Sequence, residues 1–304
     1  STDYEWDKGT QLLPPSVNDE RSFGRSVAIS NNTIVIGAPW DYERYQECEY
    51  SGSGAAFVFS FDELGSQKWE FTIKLFPIPC TERFGEAVAI SKDTIVVDAY
   101  GEVYLFERDF PSLGEWGQSA KISSPGGSLG IDQDTLVVGA KGSAFIFNRN
   151  FPSEQMWGIV TELLPPENGT DSEDFGKSVA IHKDTVVVGS RESTYVFDRN
   201  LPGNNGNWTR VAVLNIISSS LSIDGDTIVA GGYTPHVFSR HFPKPHAWGQ
   251  VLQMDCVIDR AHFSSVAIFN SQIVTSLSYD EHAFSGPSYR RNKVYVIEQC
   301  PHCL

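Results

Sequence analysis

Small and apolar residues alternate along Ser178-Val179-Ala180-Ile181-His182, the polar pair Lys183-Asp184 interrupts them, and Thr185-Val186-Val187-Val188-Gly189 then runs almost wholly apolar. Alternation of period two predicts a strand with one buried face. The continuous run predicts a strand buried on both faces. Two residues between two strands make a tight hairpin. The block recurs at residues 26–37, 87–98, 128–139 and 220–231, and in degraded form at 265–276. Its turn pairs are Asn31-Asn32, Lys92-Asp93, Gln133-Asp134, Lys183-Asp184, Gly225-Asp226 and Asn270-Ser271. Most of them carry Asn, Asp or Gly, which tolerate positive φ. The copies start 41 to 61 residues apart, a spacing that marks solenoids and propellers.

Each hairpin is followed by an aromatic-x-aromatic run, as in Phe57-Val58-Phe59, Tyr104-Leu105-Phe106 and Tyr195-Val196-Phe197. Residues i and i+2 share one face of a strand. A loop then leads to Trp69, Trp116, Trp157, Trp208 or Trp248, and an alternating strand comes after it. The unit is therefore four strands, A to D. The pattern predicts an all-β chain: a six-bladed β-propeller of four-stranded antiparallel blades, folded as a single domain. The blades fall at about 20–76, 82–122, 126–164, 173–214, 218–255 and 262–304. Trp6 and Gln11-Leu12-Leu13-Pro14 read as a D strand with no A, B or C before it, and the last unit lacks a D. The N-terminal strand, at about 5–14, is expected to close the last blade.

Composition narrows the function. A net charge of −15 disfavours nucleic acid and anionic membranes. No apolar run reaches the 18 residues of a membrane span, so no membrane insertion is expected. The chain opens at Ser1 without the basic and apolar regions of a secretory leader, so a mature or trimmed chain is expected. Asn31, Asn168 and Asn207 stand in sequons within turns or loops, where a glycan is tolerated. Five cysteines leave at least one to stay free or to pair outside the chain, which opens a route to a covalent oligomer.

Phe23-Gly24-Arg25-Ser26-Val27-Ala28, followed by Gly37-Ala38-Pro39, resembles the FG-GAP repeat of integrin α-chain propellers. Phe84-Gly85 and Phe175-Gly176 repeat its first half, and Gly139-Ala140 repeats part of its second. The resemblance implies a secreted or cell-surface recognition role in adhesion or carbohydrate binding. The calcium loop that some FG-GAP units carry between strands A and B is missing, because every A–B turn has two residues. Calcium needs six to eight oxygens, so no metal is expected in these turns, and no cofactor is expected.

In this strand order the B–C and D–A loops share one face. Two B–C loops are long, residues 40–52 in blade 1 and 279–292 in blade 6, and a closed ring makes those blades neighbours. They offer Trp40, Tyr42, Arg44, Tyr45, Tyr279, His282 and Arg290 as ligand-binding candidates, since Tyr- and Trp-rich loops with interleaved charge suit protein or glycan partners. The third residue after strand B adds Tyr100, Lys141, Arg191 and Tyr233 near the channel mouth, where paired cations and ring faces suit a small anion or sugar. Cys48 and Cys80 lie on this face and are expected to form a disulfide that pins the first long loop. Cys300 and Cys303 form a C-terminal CxxC on the other face, with no following helix to lower a thiol pKa, and read as a local disulfide or a link to another chain. No nucleophile–base set stands out, so no catalytic residue is named. The chain reads as a recognition module; the alternatives are a lyase or hydrolase at the channel mouth and a structural propeller linked through cysteine.

Overall fold

The computed structural model describes residues 11–16, 22–41, 54–154, 156–166, 174–200, 203, 205–232, 234–244, 247–253, 262–269, 272–281 and 289–297. Among them there is no helix, and the strands form five four-stranded sheets and one three-stranded sheet. The chain divides into two compact units, Ser1–Lys121 and Ile122–Leu304.

In the first unit one sheet holds β1 (Ser26–Ser30), β2 (Thr33–Ala38), β3 (Ala55–Phe61) and β4 (Trp69–Leu75). The second holds β5 (Val88–Ser91), β6 (Thr94–Ala99), β7 (Glu102–Arg108) and β8 (Trp116–Ser123). In the second unit the third sheet holds β9 (Ser128–Asp132), β10 (Thr135–Ala140), β11 (Ser143–Asn148) and β12 (Gly158–Leu163). The fourth holds β13 (Ser178–His182), β14 (Thr185–Gly189), β15 (Thr194–Asp198) and β16 (Thr209–Leu214). The fifth holds β17 (Ser220–Asp224), β18 (Thr227–Gly231), β19 (His236–Arg240) and β20 (Trp248–Gln253). The sixth holds β21 (His262–Phe269), β22 (Gln272–Glu281) and β23 (Tyr289–Ile297). Strands neighbouring in sequence are neighbours in each sheet, so every sheet is a meander.

The tight A–B hairpins form as the pattern predicts, with His182 paired to Thr185 and Ser30 to Thr33. Positive φ falls on the first turn residue: Asn31 at 50°, Lys92 at 52°, Gln133 at 53°, Lys183 at 52° and Gly225 at 55°. Three of these are Lys or Gln, so tolerance of the left-handed backbone does not explain the aspartates, which hold the second position.

The A strand of one sheet packs on the middle strands of the sheet before it. Val88 and Ile90 cluster with Val35 and Val58, and Val179 clusters with Val137 and Ile146. Leu221 and Ile223 cluster with Val187 and Val196, and Val266 and Ile268 with Val229 and Val237. Burying each such side chain is worth about 1.5–3 kcal/mol. The first A strand departs from this rule: Val27 and Ile29 are 60% and 61% exposed. At the other end of the series Val274 is 37% exposed, whereas its counterparts Val35, Val187 and Val229 are fully buried.

The Phe-Gly and Gly-Ala-Pro pieces have a physical reason. Phe23, Phe84 and Phe175 each turn an edge or a tilted ring onto both rings of their own C strand, at 5.1–6.3 Å between centroids. The Gly85 carbonyl reaches back to the first sheet and accepts from Ser26 Oγ at 2.9 Å. A methyl group on Gly37 would overlap that carbonyl, so only glycine admits the approach. Gly139, Ser128 and Gly176 repeat the arrangement in the second unit. In the second sheet Asp98 takes the Gly37 slot and is buried.

Two expectations about the ends change. Tyr279–Glu281 and Tyr289–Asn292 are not loop: they extend the β22–β23 ladder, with Asp280 in register with Arg290 and Glu281 with Tyr289. Tyrosines and an opposed acid–base pair favour pairing over a free loop. Residues 11–14 take no strand conformation, and residues 5–10 lie outside the described residues. Leu12 nonetheless packs against the first sheet's core beside Ile36, Phe57 and Phe59.

Candidate functional site

In the first unit the long B–C insertion leaves the sheet at Trp40 and Asp41. The Asp41 amide donates to the Ala38 carbonyl at 3.1 Å, and the Gly54 amide donates to the Asp41 carbonyl at 3.2 Å, so the two ends of the insertion meet. Asp41 is fully buried, and its Oδ2 lies 2.9 Å from Lys74 Nζ, itself only 9% exposed. Lys74 projects from β4 opposite Phe57, with its ammonium 4.9 Å from the Phe57 ring and 5.4 Å from the Phe76 ring. Removing two charges from water costs several kcal/mol per ion, and close pairing with ring faces offsets it. Asp41, where the insertion leaves the sheet, is thus fixed to β4.

Beside it runs the segment that enters the second sheet. The Ile78 amide donates to Gln118 Oε1 at 2.8 Å, and Gln118 Nε2 donates to the Ile78 carbonyl at 2.7 Å. The Tyr104 hydroxyl donates to Glu102 Oε2 at 2.5 Å and lies 3.3 Å from the Pro79 carbonyl. Burial, with the Glu102 carboxylate next to it, pushes the Tyr104 hydroxyl well above the ordinary tyrosine range. Burial works against the Glu102 carboxylate, but the hydrogen bonds from Lys121 and Tyr104 and the Lys121 charge hold it below its ordinary value. Cys80, in the middle of this segment, is disulfide-bonded. Its expected partner Cys48 lies outside the described residues.

At the rim the Arg83 guanidinium sits 5.2 Å from the Trp40 ring. Trp40 is 40% and Tyr100 72% exposed. The Tyr100 amide donates to the Glu82 carbonyl at 3.0 Å, which places Tyr100 beside Arg83. Of the predicted candidates, Trp40 and Tyr100 therefore come to one rim. Lys141 and Arg191 are exposed in the second unit, while Tyr42, Arg44, Tyr45, Tyr233 and His282 lie outside the described residues. Tyr279 and Arg290 stand on β22 and β23. Asn31 and Asn207 are exposed, and Asn168, Cys300 and Cys303 lie outside the described residues.

Sequence reasoning places Glu82-Arg83 on this loop face but missed the contact of Arg83 with Trp40, and it also missed a repeated clasp at the opposite strand ends. The turn aspartate, the arginine that ends or follows strand C, and the D-strand tryptophan form one stack in four sheets. Arg108 pairs with Asp93 at 2.9 Å and lies 4.8 Å from the Trp116 ring. Arg149 joins Asp134 and Trp157, Arg199 joins Asp184 and Trp208, and Arg240 joins Asp226 and Trp248, at 2.6–3.0 Å and 4.9–5.3 Å. Arg108 Nη2 also donates to Thr33 of the preceding sheet at 2.7 Å, and Arg240 reaches Thr185 and Asp198 in the same way. A polar cavity of about 280 Å³ lies between these groups in the fourth and fifth sheets, lined by Lys183, Asp184, Asp198, Asn200, Asp226 and Arg240. Three of its acids already serve the clasps, so it reads as a seam between repeats. The sequence cue was Asp in the turn and, 14 or 15 positions on, Arg two residues after Phe.

The FG-GAP repeat family matches at residues 6–59 and 157–205, the two regions that hold Phe23-Gly24 and Phe175-Gly176. Two stretches of the chain thus match the FG-GAP repeat. In FG-GAP terms, the carbonyl seam at Gly85 and Gly176 is where one repeat meets the next. The solved structure of Kluyveromyces lactis Hsv2, complete loop 6CD, is similar over 85% of this chain and 73% of that one, with a TM-score of 0.55 and 10% identity. That likeness shows the fold alone. No curated protein matches the chain.

Proposed function

We propose that this FG-GAP protein is an extracellular recognition module, binding a protein or glycan partner through the rim of Trp40, Arg83 and Tyr100 and the insertion above it, with Tyr42, Arg44 and Tyr45. One observation carries the reading: exposed aromatic rings flank an insertion whose base is fixed by a buried ion pair. Fixing the ends of a loop lowers the ordering cost of binding. Cys48 is the proposed partner of Cys80, tying the insertion to the neighbouring segment. The test is pull-down and glycan-array binding of the wild type against Trp40→Ala/Tyr100→Ala. A loss of tenfold or more is expected, and unchanged binding overturns the rim.

We also propose that six sheets close into a ring, with the sixth sheet covering Val27 and Ile29. Support comes from the exposed apolar stripe on β1, the exposed Val274, and the rule followed by the sheets that pack between them. In a closed ring Val27→Asp/Ile29→Asp costs more than about 3 kcal/mol, as burial of two charges requires. A surface pair changes stability by about 0.5 kcal/mol or less. Urea unfolding separates the two.

A further inference from the structure

Five arginines stack on tryptophan among the described residues, and four of them are completed by an aspartate of the chain at 2.6–3.0 Å. The fifth is Arg83 on Trp40. Among the described residues no carboxylate pairs with it: Glu86 is taken by Arg25 at 2.7 Å, and Glu82 makes no ion pair with it. We infer that an external carboxylate completes the Arg83–Trp40 stack, and that the ligand of this rim is a terminal sugar carrying one carboxylate. The inference rests on the rim reading above and names its ligand class.

Three observations point the same way. A guanidinium whose flat face lies on a ring leaves its N–H edge for bidentate pairing with a carboxylate. Arg83 is also held in place. Its φ is 58°, a left-handed conformation rare for a non-glycine residue, and the Glu86 amide donates to its carbonyl at 3.2 Å. Tyr100, 72% exposed, is bonded through its amide to the carbonyl of Glu82, the residue before Arg83, so a second exposed aromatic residue stands on the neighbouring backbone. Exposed Trp and Tyr rings suit the C–H faces of a sugar, and the one arginine over Trp40 suits one acid group. Charge excludes the larger alternatives. At −15 the chain repels polyanions such as acidic peptides or sulfated polymers, while a singly charged sugar bears little of that repulsion.

The experiment is calorimetric titration of the intact chain with sialyllactose, methyl glucuronide, the carboxyl methyl ester of each, and lactose. At least one acid is expected to bind, to weaken tenfold or more on esterification, and to weaken similarly with Arg83→Gln. Arg83→Lys is expected to fall between, since it keeps the charge and loses the fork. Which acid binds identifies the source as sialic or uronic. Binding of neither acid, equal binding of acid and ester, or an unchanged Arg83→Gln overturns the inference. The ester comparison uses wild-type protein and stands even if a variant misfolds. Trp40-dependent binding of a neutral glycan or a protein, with no carboxylate dependence, overturns this inference and leaves the rim reading standing.

Discussion

Lys74→Met is expected to lower unfolding free energy by about 3–5 kcal/mol, because it takes the Lys74 ammonium away from the buried Asp41 carboxylate. Asp41 is fully buried and Lys74 is 9% exposed, so water does not compensate. Adding Asp41→Leu removes the buried carboxylate and is expected to recover most of the loss, since apolar replacement of both members of a buried pair is often neutral. Urea midpoints of the two variants decide the matter. A single-variant loss below about 1 kcal/mol would place the pair in contact with water. The double variant also separates stability from recognition: it restores the fold without the ion pair that ties the insertion to β4.

Gly37→Ala is the second large effect, expected at about 2–3 kcal/mol, the cost of overpacking where the neighbour is backbone. The methyl group meets the Gly85 carbonyl and Ser26 Oγ, and that carbonyl belongs to the next sheet's Phe-Gly turn. Gly24→Ala is the control. Gly24 has a φ of 88° and open space around its Cβ position, so its cost comes from backbone handedness alone, about 1–2 kcal/mol. Thermal unfolding of Gly37→Ala no worse than that of Gly24→Ala would show that the sheets can slide apart to admit a side chain.

Hairpins, their register and the four-strand order were legible because period-two alternation and two-residue turns leave little freedom. The block at residues 178–189 pairs Ser178 with Gly189 and His182 with Thr185, as its pattern demands. The aromatic-x-aromatic strand was legible for the same reason, and Phe175 edges onto both of its rings. The blade 6 insertion was misread because its aromatic and charged residues suit a binding loop and an extended ladder equally well. The turn aspartates were read as residues that tolerate the turn, whereas their carboxylates grip an arginine about fifteen positions on. No local pattern announces that contact, because it depends on strand C returning beside the turn. The Arg83–Trp40 contact was hidden for a related reason: Trp40 follows β2 and Arg83 precedes β5, and a contact between successive repeats leaves no period in the sequence.

Every hydrogen bond found across a seam joins one repeat to its immediate successor: Ser26 to Gly85, Arg108 to Thr33, Ser128 to Gly176, and Arg240 to Thr185. In these pairs one repeat thus carries a plug and its neighbour the matching socket. A duplication or loss of one whole copy regenerates the junction without any compensating substitution, while a cut inside a copy strands both halves. Genes built this way can lengthen or shorten by complete modules, and the boundaries at which they do so are set by where the carbonyl and the arginine cross over.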